Sequence, residues 1–252
     1  MPRHAYGWVR DLPDHRDRYD LAAFPLHVPD RVDLRPGFGT FPVYDQGALG
    51  SCTASAIAGA LVYQQLRQGL QRVVAPSRLW IYYEERRREG TVSSDSGAQI
   101  RDGIKVVASE GFPPEEEWPY DVERFADPPP ATTYADAKKD LVTGYFRLVQ
   151  LEPVLLGALA QGHPFVFGVS VYESFEEAKD GNIPMPGPDE QLLGGHAILC
   201  VGYDRKERRF IFRNSWGDSW GDRGYGTLPF EYVNNPNLAG DLWVITHEQI
   251  AS

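Results

Sequence analysis

Helical spacing fills the first half of this chain and strand-like runs fill the second, and this order constrains the fold more than any other feature. Ser77 is placed to cap one helix and Ser96 to cap another. The predicted helices cover residues 54–69, 79–89, a segment from Ser96 that stops at Gly111, and 153–162. The predicted strands cover 164–171, 196–203, 208–214 and 242–246. Because helices come first and strands follow, the pattern predicts an α+β fold instead of alternating α/β units.

Three irregular segments suggest how the chain is organised. Residues 1–29 are charged, contain proline and follow neither period, so we expect an N-terminal arm. Residues 30–252 are expected to form one domain, with a mainly helical lobe at about 30–130 and a mainly β lobe at about 131–252. The acidic, proline-rich stretch 112–133 marks the predicted boundary between the lobes. A long loop, 181–195, leads directly into His196, and long loops without structure of their own are often functional.

Composition and charge exclude several classes of protein. The formal net charge is −10, from 25 Lys and Arg against 35 Asp and Glu, which opposes binding to nucleic acid. No apolar run approaches the roughly 18 residues that a membrane span needs, so no membrane association is expected. The N-terminal segment lacks an apolar core of the kind found in secretory signals, and we expect a cytoplasmic protein.

Two cysteines cannot build a disulfide framework, so their individual roles matter. Cys52 comes immediately before the first predicted helix, where the positive end of the helix dipole favours thiolate and is expected to lower the pKa. This position suits a nucleophile, although an isolated cysteine is more often a small buried apolar residue. Cys200 lies within an apolar strand and is predicted to be buried and inert.

A histidine and an asparagine fall on neighbouring predicted strands. The polar turn DRKE joins the two strands into an antiparallel hairpin, which places His196 opposite Asn214 to within two residues. An asparagine carbonyl can accept one ring N–H of imidazole, fix the tautomer and direct the other nitrogen at a thiol. The pair therefore predicts a base for Cys52.

Gln46 precedes Cys52 in a glycine-rich turn, QGALGSC. Acyl transfer passes through a tetrahedral oxyanion that needs fixed hydrogen-bond donors. The Gln46 amide and the Cys52 backbone N–H would supply two such donors. The spacing makes Gln46 a candidate for the oxyanion site.

Three motifs resemble those of papain-like cysteine peptidases: VDLRPGFGTFPVYDQGALGSCTAS, GGHAILCVGYD and RNSWGDSWGDRGYG. They occur in family order from about Pro29 to Ile245, over more than four fifths of the chain. The resemblance is to a bacterial-type member without disulfides. It implies a helical left lobe and an antiparallel, β-barrel-like right lobe with the active-site cleft between them.

The same resemblance implies roles for individual residues. Cys52 would be the nucleophile, His196 the general base and acid, Asn214 the residue that orients it, and Gln46 the oxyanion side chain. Trp216 resembles the tryptophan that shields the His–Asn contact from water. The segment Ser96-Gly97 resembles a glycine pair that binds substrate main chain, with Gly97 the stronger candidate. Rough alignment places four residues around an apolar specificity pocket: Ala98, Gly168, Ala197 and Ile245.

The chain departs from the family pattern at two positions near the nucleophile. A family cysteine three residues before it is Leu49 here, and a family tryptophan just after it is Thr53. Loss of the disulfide that this cysteine forms fits a reducing compartment.

The resemblance implies a cysteine endopeptidase that cleaves peptides or proteins through a Cys thioester and prefers an apolar residue two before the scissile bond. One alternative is acyl transfer to an amine, as in a peptide ligase or transpeptidase. Another is a non-catalytic peptide-binding module. No cofactor or metal is expected, because the histidines lack paired ligand spacing. We expect a monomer. Residues 1–29 are expected to form either a short pro-segment that restrains activity until it is cut or displaced, or an ordinary segment that wraps the surface.

Overall fold

The computed structural model describes residues 4–19, 27–178 and 180–250. Its helices are α1 (Cys52–Arg67), α2 (Arg78–Glu89), α3 (Ile100–Ser109), α4 (Ala131–Ala137), α5 (Glu152–Ala160), α6 (Glu173–Glu177) and α7 (Phe230–Asn234). Its strands are β1 (Trp8–Val9), β2 (Arg31–Asp33), β3 (Ala98–Gln99), β4 (Leu141–Arg147), β5 (Phe165–Tyr172), β6 (Leu192–Asp204), β7 (Arg209–Arg213), β8 (Tyr225–Pro229) and β9 (Ala239–Gln249).

Helix α1 carries the candidate nucleophile into the interior. Its residues from Cys52 to Gln65 are buried, and alanines supply much of its first half. Small side chains let the sheet approach closely: a Cβ added to Gly59 would lie 3.5 Å from Leu199 Cδ2 on β6. The helix is therefore clamped between the other helices and the sheet.

The predicted caps of the next two helices have different outcomes. Ser77 accepts a hydrogen bond from Trp80 N at 3.2 Å, and α2 ends before Gly90, whose φ of 74° is left-handed, as the sequence predicts. The prediction that Ser96 caps α3 is wrong. Ser96 donates its hydroxyl to Thr91 Oγ1 at 2.8 Å, and the helix starts only at Ile100. Between them, Gly97 is left-handed with a φ of 70°, and Ala98 and Gln99 are extended because β3 pairs with the N-terminal arm.

The strands of the second half form one antiparallel sheet. Its order is β4-β9-β5-β6-β7-β8, and β2 also pairs with β6. Leu199 lies opposite Arg213, and this register continued three residues places His196 opposite Trp216, two residues beyond the predicted Asn214. The prediction allowed this offset, and the hairpin itself is present.

Two hydrophobic clusters hold the molecule together, one centred on α1 to α3 and one on the sheet and its flanking helices. The first also contains sheet residues such as Leu199 and Trp243, so the inner face of the sheet packs against α1. The α+β prediction is confirmed. The division into lobes at about residue 130 stays a prediction.

None of the helices in the described ranges is long and apolar enough to cross a bilayer. Among the same residues, no cluster of three or more His, Cys, Asp or Glu side chains is arranged to hold a metal ion.

Candidate active site

Cys52 is the first residue of α1, with its side chain completely buried. Burial raises the pKa of the Cys52 thiol to about 11, although backbone hydrogen bonds from Ala197 and Gly7 favour the thiolate. This shift is opposite to the one expected from the helix N-terminus. Desolvation of the buried sulfur outweighs the hydrogen bonds that favour the thiolate, one of which comes from Gly7 in the N-terminal arm.

His196 and Asn214 meet in the interior, next to this helix end. His196 Nε2 and Asn214 Oδ1 are 2.8 Å apart, and Asn214 Oδ1 also accepts the Ser215 backbone N–H at 2.8 Å. The second bond fixes which end of the amide faces the ring. His196 Nδ1 has no hydrogen-bond partner within the described part of the chain. Asn214 therefore holds one ring nitrogen and leaves the other available.

Trp216 covers this pair, with its ring stacked on His196 at 4.7 Å and an interplanar angle of 21°. Burial lowers the pKa of His196 to about 4, against the hydrogen bond with Asn214, which favours the charged form. Burial thus opposes the charged form of both the imidazole and the thiol.

Gln46 is fixed by hydrogen bonds at both ends of its side chain. Its Oε1 accepts the Ser215 hydroxyl at 2.6 Å, and its Nε2 donates to Leu49 O at 2.9 Å. The same Nε2 donates to Ala5 O at 3.2 Å, so it already holds a peptide carbonyl. Sequence reasoning missed Ser215, although it directly follows Asn214 in the motif RNSWGDSWG.

A second support that sequence reasoning missed lies under the loop before Cys52. Both carboxylate oxygens of Asp95 accept the Gly50 N–H at 3.0 Å. Tyr82 donates its hydroxyl to Asp95 at 2.5 Å and accepts the Gly97 N–H at 3.0 Å. Residues 82 and 95 thus connect the nucleophile loop to the segment predicted to bind substrate main chain.

The N-terminal arm runs through the site. Gly7 O accepts the Ala98 N–H at 2.7 Å, and β1 pairs in parallel with β3. His4 stacks on the outer face of Trp216 at 4.0 Å, with an interplanar angle of 3°. Tyr6 donates its hydroxyl to the Glu176 carboxylate. Residues 4–9 therefore occupy the cleft on both sides of Cys52.

The structure brings most of the predicted pocket residues to this arm. Ala98 pairs with Trp8, and a Cβ added to Gly168 would lie 1.9 Å from the Trp8 ring. Ala197 contributes its backbone N–H near the Cys52 sulfur. Ser96, exposed, stands one residue before Gly97, whose own added Cβ would lie 2.1 Å from Gly7 O.

The placement of Ile245 at this pocket is wrong. Gly168 on β5 pairs with Gly240 on β9, so Ile245 lies five residues further along that strand. At about 3.3 Å per residue this is roughly 16 Å away. The rough alignment failed because the loop between Trp216 and β9 matches no family motif, and the register of β5 with β9 decides which residue faces the pocket.

Beyond the pocket, acidic residues of the arm enter a buried cluster of charges. Asp17 Oδ2 lies 2.7 Å from Arg101 Nη2 and 2.9 Å from Arg147 Nη1. Asp11 accepts the Trp243 indole N–H at 2.9 Å. Burial, and then the nearby carboxylate of Asp241, raise the pKa of Asp11 to about 6. These contacts hold the arm to the body of the protein.

The second cysteine is separate from the site. Cys200 is fully buried on β6, as predicted, and burial raises the pKa of its thiol. Both cysteines are free, so the structure has no disulfide.

Comparison with known proteins gives this geometry its context. A solved structure of xylellain, a cysteine protease from Xylella fastidiosa, is 43% identical and covers 96% of this chain and 95% of its own, with a TM-score of 0.90. An uncharacterized peptidase C1-like protein of Acanthamoeba polyphaga mimivirus is 42% identical over 95% of this chain and 86% of its own length. Mouse cathepsin K is 30% identical over 80% of this chain, which spans 60% of the cathepsin's length.

The model of the papain family of cysteine proteases matches residues 28–239. That range contains Cys52, His196 and Asn214 and excludes the part of the arm that fills the cleft. Together with the xylellain likeness over nearly the whole length of both chains, the match shows that this chain belongs to the papain family of cysteine proteases and is a cysteine peptidase, a hydrolase.

Proposed function

We propose that the protein is an endopeptidase in which Cys52, His196, Asn214 and Gln46 carry out the reaction. One observation carries the proposal: Gln46 Nε2 already holds a peptide carbonyl, that of Ala5, while Gly7 of the same peptide contacts the Cys52 sulfur. A peptide can thus lie against the thiol with a carbonyl on an oxyanion donor. Arm residues lie on both sides of Cys52, His4 at Trp216 and Trp8 at Ala98, and a cleft that takes chain on both sides suits cleavage within a chain.

The chemistry follows from the available atoms. The Cys52 thiolate attacks the carbonyl carbon, and the oxyanion accepts hydrogen bonds from Gln46 Nε2 and the Cys52 N–H. His196, as imidazolium, gives its proton to the leaving amine, and the C–N bond breaks to leave a thioester on Cys52. Neutral His196 then takes a proton from water, which attacks the thioester. The acid leaves, and the returning thiolate and imidazolium complete the cycle.

Asn214 acts through the histidine. Its carbonyl holds Nε2–H, so Nδ1 is the nitrogen that exchanges protons with the thiol. Trp216 keeps water from this hydrogen bond by covering the ring.

The N-terminal arm is proposed to be an autoinhibitory segment. It covers the thiol, occupies the donor of Gln46 and keeps both Cys52 and His196 neutral through desolvation. A neutral thiol beside a neutral imidazole is a poor nucleophile. Displacing or cutting the arm would open the cleft and restore water and charge to the pair.

Two variants of the full chain test the catalytic proposal with quenched fluorescent peptides. Cys52→Ala is expected to abolish cleavage, whereas Cys200→Ala, a matched loss of the other buried thiol, is expected to retain it. Hydrolysis that persists in Cys52→Ala would refute the assignment of the nucleophile.

Deletion of residues 1–29 tests the inhibitory role. We expect turnover to rise while the melting temperature falls, because the arm contributes buried contacts. Unchanged turnover in a folded deletion variant would show that the arm only wraps the surface.

A further inference from the structure

We propose that Asp241 makes the cleft selective for a substrate side chain that is large, neutral and carries an N–H donor at its far end, with tryptophan favoured. This inference rests on the proposed peptidase function of the same cleft. It replaces the sequence-based expectation of a purely apolar pocket.

The pocket that holds Trp8 has the size of an indole because glycines form its walls. A Cβ added to Gly168 would lie 1.9 Å from the ring, and one added to Gly195 would lie 3.0 Å from Trp8 Cε3. On the neighbouring strand, a Cβ added to Gly240 would lie 3.9 Å from Trp8 Cζ2. The backbone of the same arm pairs in parallel with β3, directly after Gly97, the residue predicted to bind substrate main chain.

The far end of the pocket is a carboxylate. Trp8 Nε1 donates to Asp241 Oδ2 at 3.1 Å, and the Asp11 backbone N–H donates to the same oxygen at 2.8 Å. The other oxygen, Oδ1, is held at 2.6 Å by Arg147 Nη2. Arg147 belongs to β4, outside the arm, so this last bond remains when the arm leaves.

Departure of the arm leaves Oδ2 without either of these two donors. Asp241 is only 5% exposed when Trp8 fills the pocket, so a substrate side chain in the same place would exclude water from Oδ2, and a buried acceptor without a donor is costly. An incoming side chain that ends in an N–H group would restore the hydrogen bond, whereas phenylalanine or leucine would not. The pocket therefore recognises a donor as well as a shape.

The charges around the pocket favour a tryptophan side chain of the substrate over an arginine side chain. With the arm in place, Asp11 and Asp17 oppose Arg101 and Arg147 around Asp241. Without the arm, Arg101 and Arg147 lose both of these aspartates while Arg147 stays bonded to Asp241, so positive charge behind the pocket is left without its partners. A cationic side chain is then disfavoured, so a neutral donor is preferred over lysine or arginine.

Asn is the informative substitution at position 241. The backbone there has φ of 54°, a left-handed conformation that asparagine adopts more readily than most residues. In Asp241→Asn, the side-chain oxygen would turn to Arg147, which offers only donors, and the NH₂ group would face the pocket. The NH₂ group and the indole N–H are both donors, so the hydrogen bond to a tryptophan side chain would be lost. A phenyl ring makes no such hydrogen bond and would be unaffected.

The experiment measures kcat/KM of the full chain on quenched peptides in which one residue, Trp, Phe, Leu or Arg, is moved through every position of a constant sequence. Ratios within one protein cancel any fraction inhibited by the arm. At one position of the peptide, we expect kcat/KM to be about tenfold higher with Trp than with Phe, which is the effect of one hydrogen bond to a charged acceptor. At the same position, kcat/KM with Arg should be lower than with Trp. In Asp241→Asn the Trp:Phe ratio is expected to fall to about one or below.

A second variant, Gly168→Ala, keeps the carboxylate and removes space. It is expected to reduce cleavage of the Trp peptide far more than that of the Leu peptide, and it serves the test if Asp241→Asn does not fold. A Trp:Phe ratio unaffected by Asp241→Asn, or an Arg peptide cleaved better than the Trp peptide, would overturn the inference while leaving the peptidase function intact. Failure of the wild type to cleave any peptide faster than Cys52→Ala would instead refute the proposed function.

Discussion

Ser215 donates its hydroxyl to Gln46 Oε1 at 2.6 Å, and this hydrogen bond joins the oxyanion side chain to the strand end that carries Asn214. The Ser215 N–H is held at the same time by Asn214 Oδ1. One residue therefore orients two amides, one that serves the oxyanion and one that serves the imidazole. Neither amide can flip without breaking a buried hydrogen bond.

Replacement of Ser215 by alanine should lower kcat more than it raises KM. The hydroxyl touches no substrate, so its loss acts by letting the Gln46 amide rotate. We expect a loss of about tenfold in kcat, below the roughly 10²- to 10³-fold typical of removing an oxyanion donor altogether. Steady-state kinetics of Ser215→Ala, Gln46→Ala and the double variant measure this. Full additivity of the two losses would contradict the positioning role.

Replacement of Tyr82 by phenylalanine should loosen the cleft. The change removes the hydrogen bond to Asp95 and leaves the Gly97 N–H without the partner that it has now. We expect a stability loss of about 1–3 kcal/mol, the usual cost of an unsatisfied buried group, together with a raised KM. Denaturant unfolding and kinetics check the two effects. Tyr83→Phe, next along α2 and partly exposed, is the matched control and should change neither.

Alkylation of Cys52 should depend on the arm. With the arm in place, burial holds the pKa of the thiol at about 11, so little thiolate exists at pH 7. Deletion of residues 1–29 should raise the iodoacetamide rate at pH 7 by at least about tenfold, because solvent and the helix N-terminus then favour thiolate. Mass spectrometry of the modified peptides measures this. Cys200 should stay unmodified in both proteins.

Docking of the arm should weaken as pH rises from about 4 to about 6. Asp11 has a pKa of about 6 when docked and is expected near its ordinary value of about 3.9 when free. The docked state thus binds the proton more tightly, so docking is favoured in acid and loses this contribution as pH rises through 6. Asp14 has its pKa lowered by Arg16 and Lys105 and acts in the opposite direction, but only at lower pH.

The measurement for this dependence is the ratio of full-chain turnover to that of the deletion variant, which cancels titration of the catalytic pair. The ratio should rise across this pH range. Asp11→Asn, which stays neutral, should keep it low and nearly flat. A ratio that falls with pH would contradict the assigned sign.

Replacement of Trp8 by alanine should release the arm with the rest of the chain intact. The variant loses the indole packing in its glycine-walled pocket and the bond to Asp241. We expect turnover to rise toward that of the deletion variant. Val9→Ala, an exposed neighbour in the same strand, should leave turnover unchanged. Equal turnover of Trp8→Ala and wild type would show that this residue does not hold the arm.

Much of the site could be predicted because its parts are local. The position of Cys52 at the start of α1, the cap of α2 at Ser77 and the hairpin that joins His196 to Asn214 depend on helix signals and on a short turn. Each is decided by residues close in the chain, and the structure contains all three. Ser215 was missed despite its place beside Asn214, since a serine in a motif carries no sign of its partner.

The remaining features depend on contacts between residues far apart in sequence. Ser96 fails as a cap because the arm, some ninety residues earlier, draws its neighbours into a strand. Ile245 is displaced from the pocket because the register of β5 with β9 places Gly240 and Asp241 there instead. The pKa of Cys52 rises because the packed structure desolvates a thiol that the helix N-terminus alone would activate.

The sequence by itself determined the α+β order, the family and the four residues proposed for catalysis, since these follow from periodicity, motif and spacing. The tertiary structure decided where the arm lies, which residue ends the pocket and which protonation state the catalytic pair adopts. Those properties depend on desolvation and strand register, and both are set only when distant segments pack together.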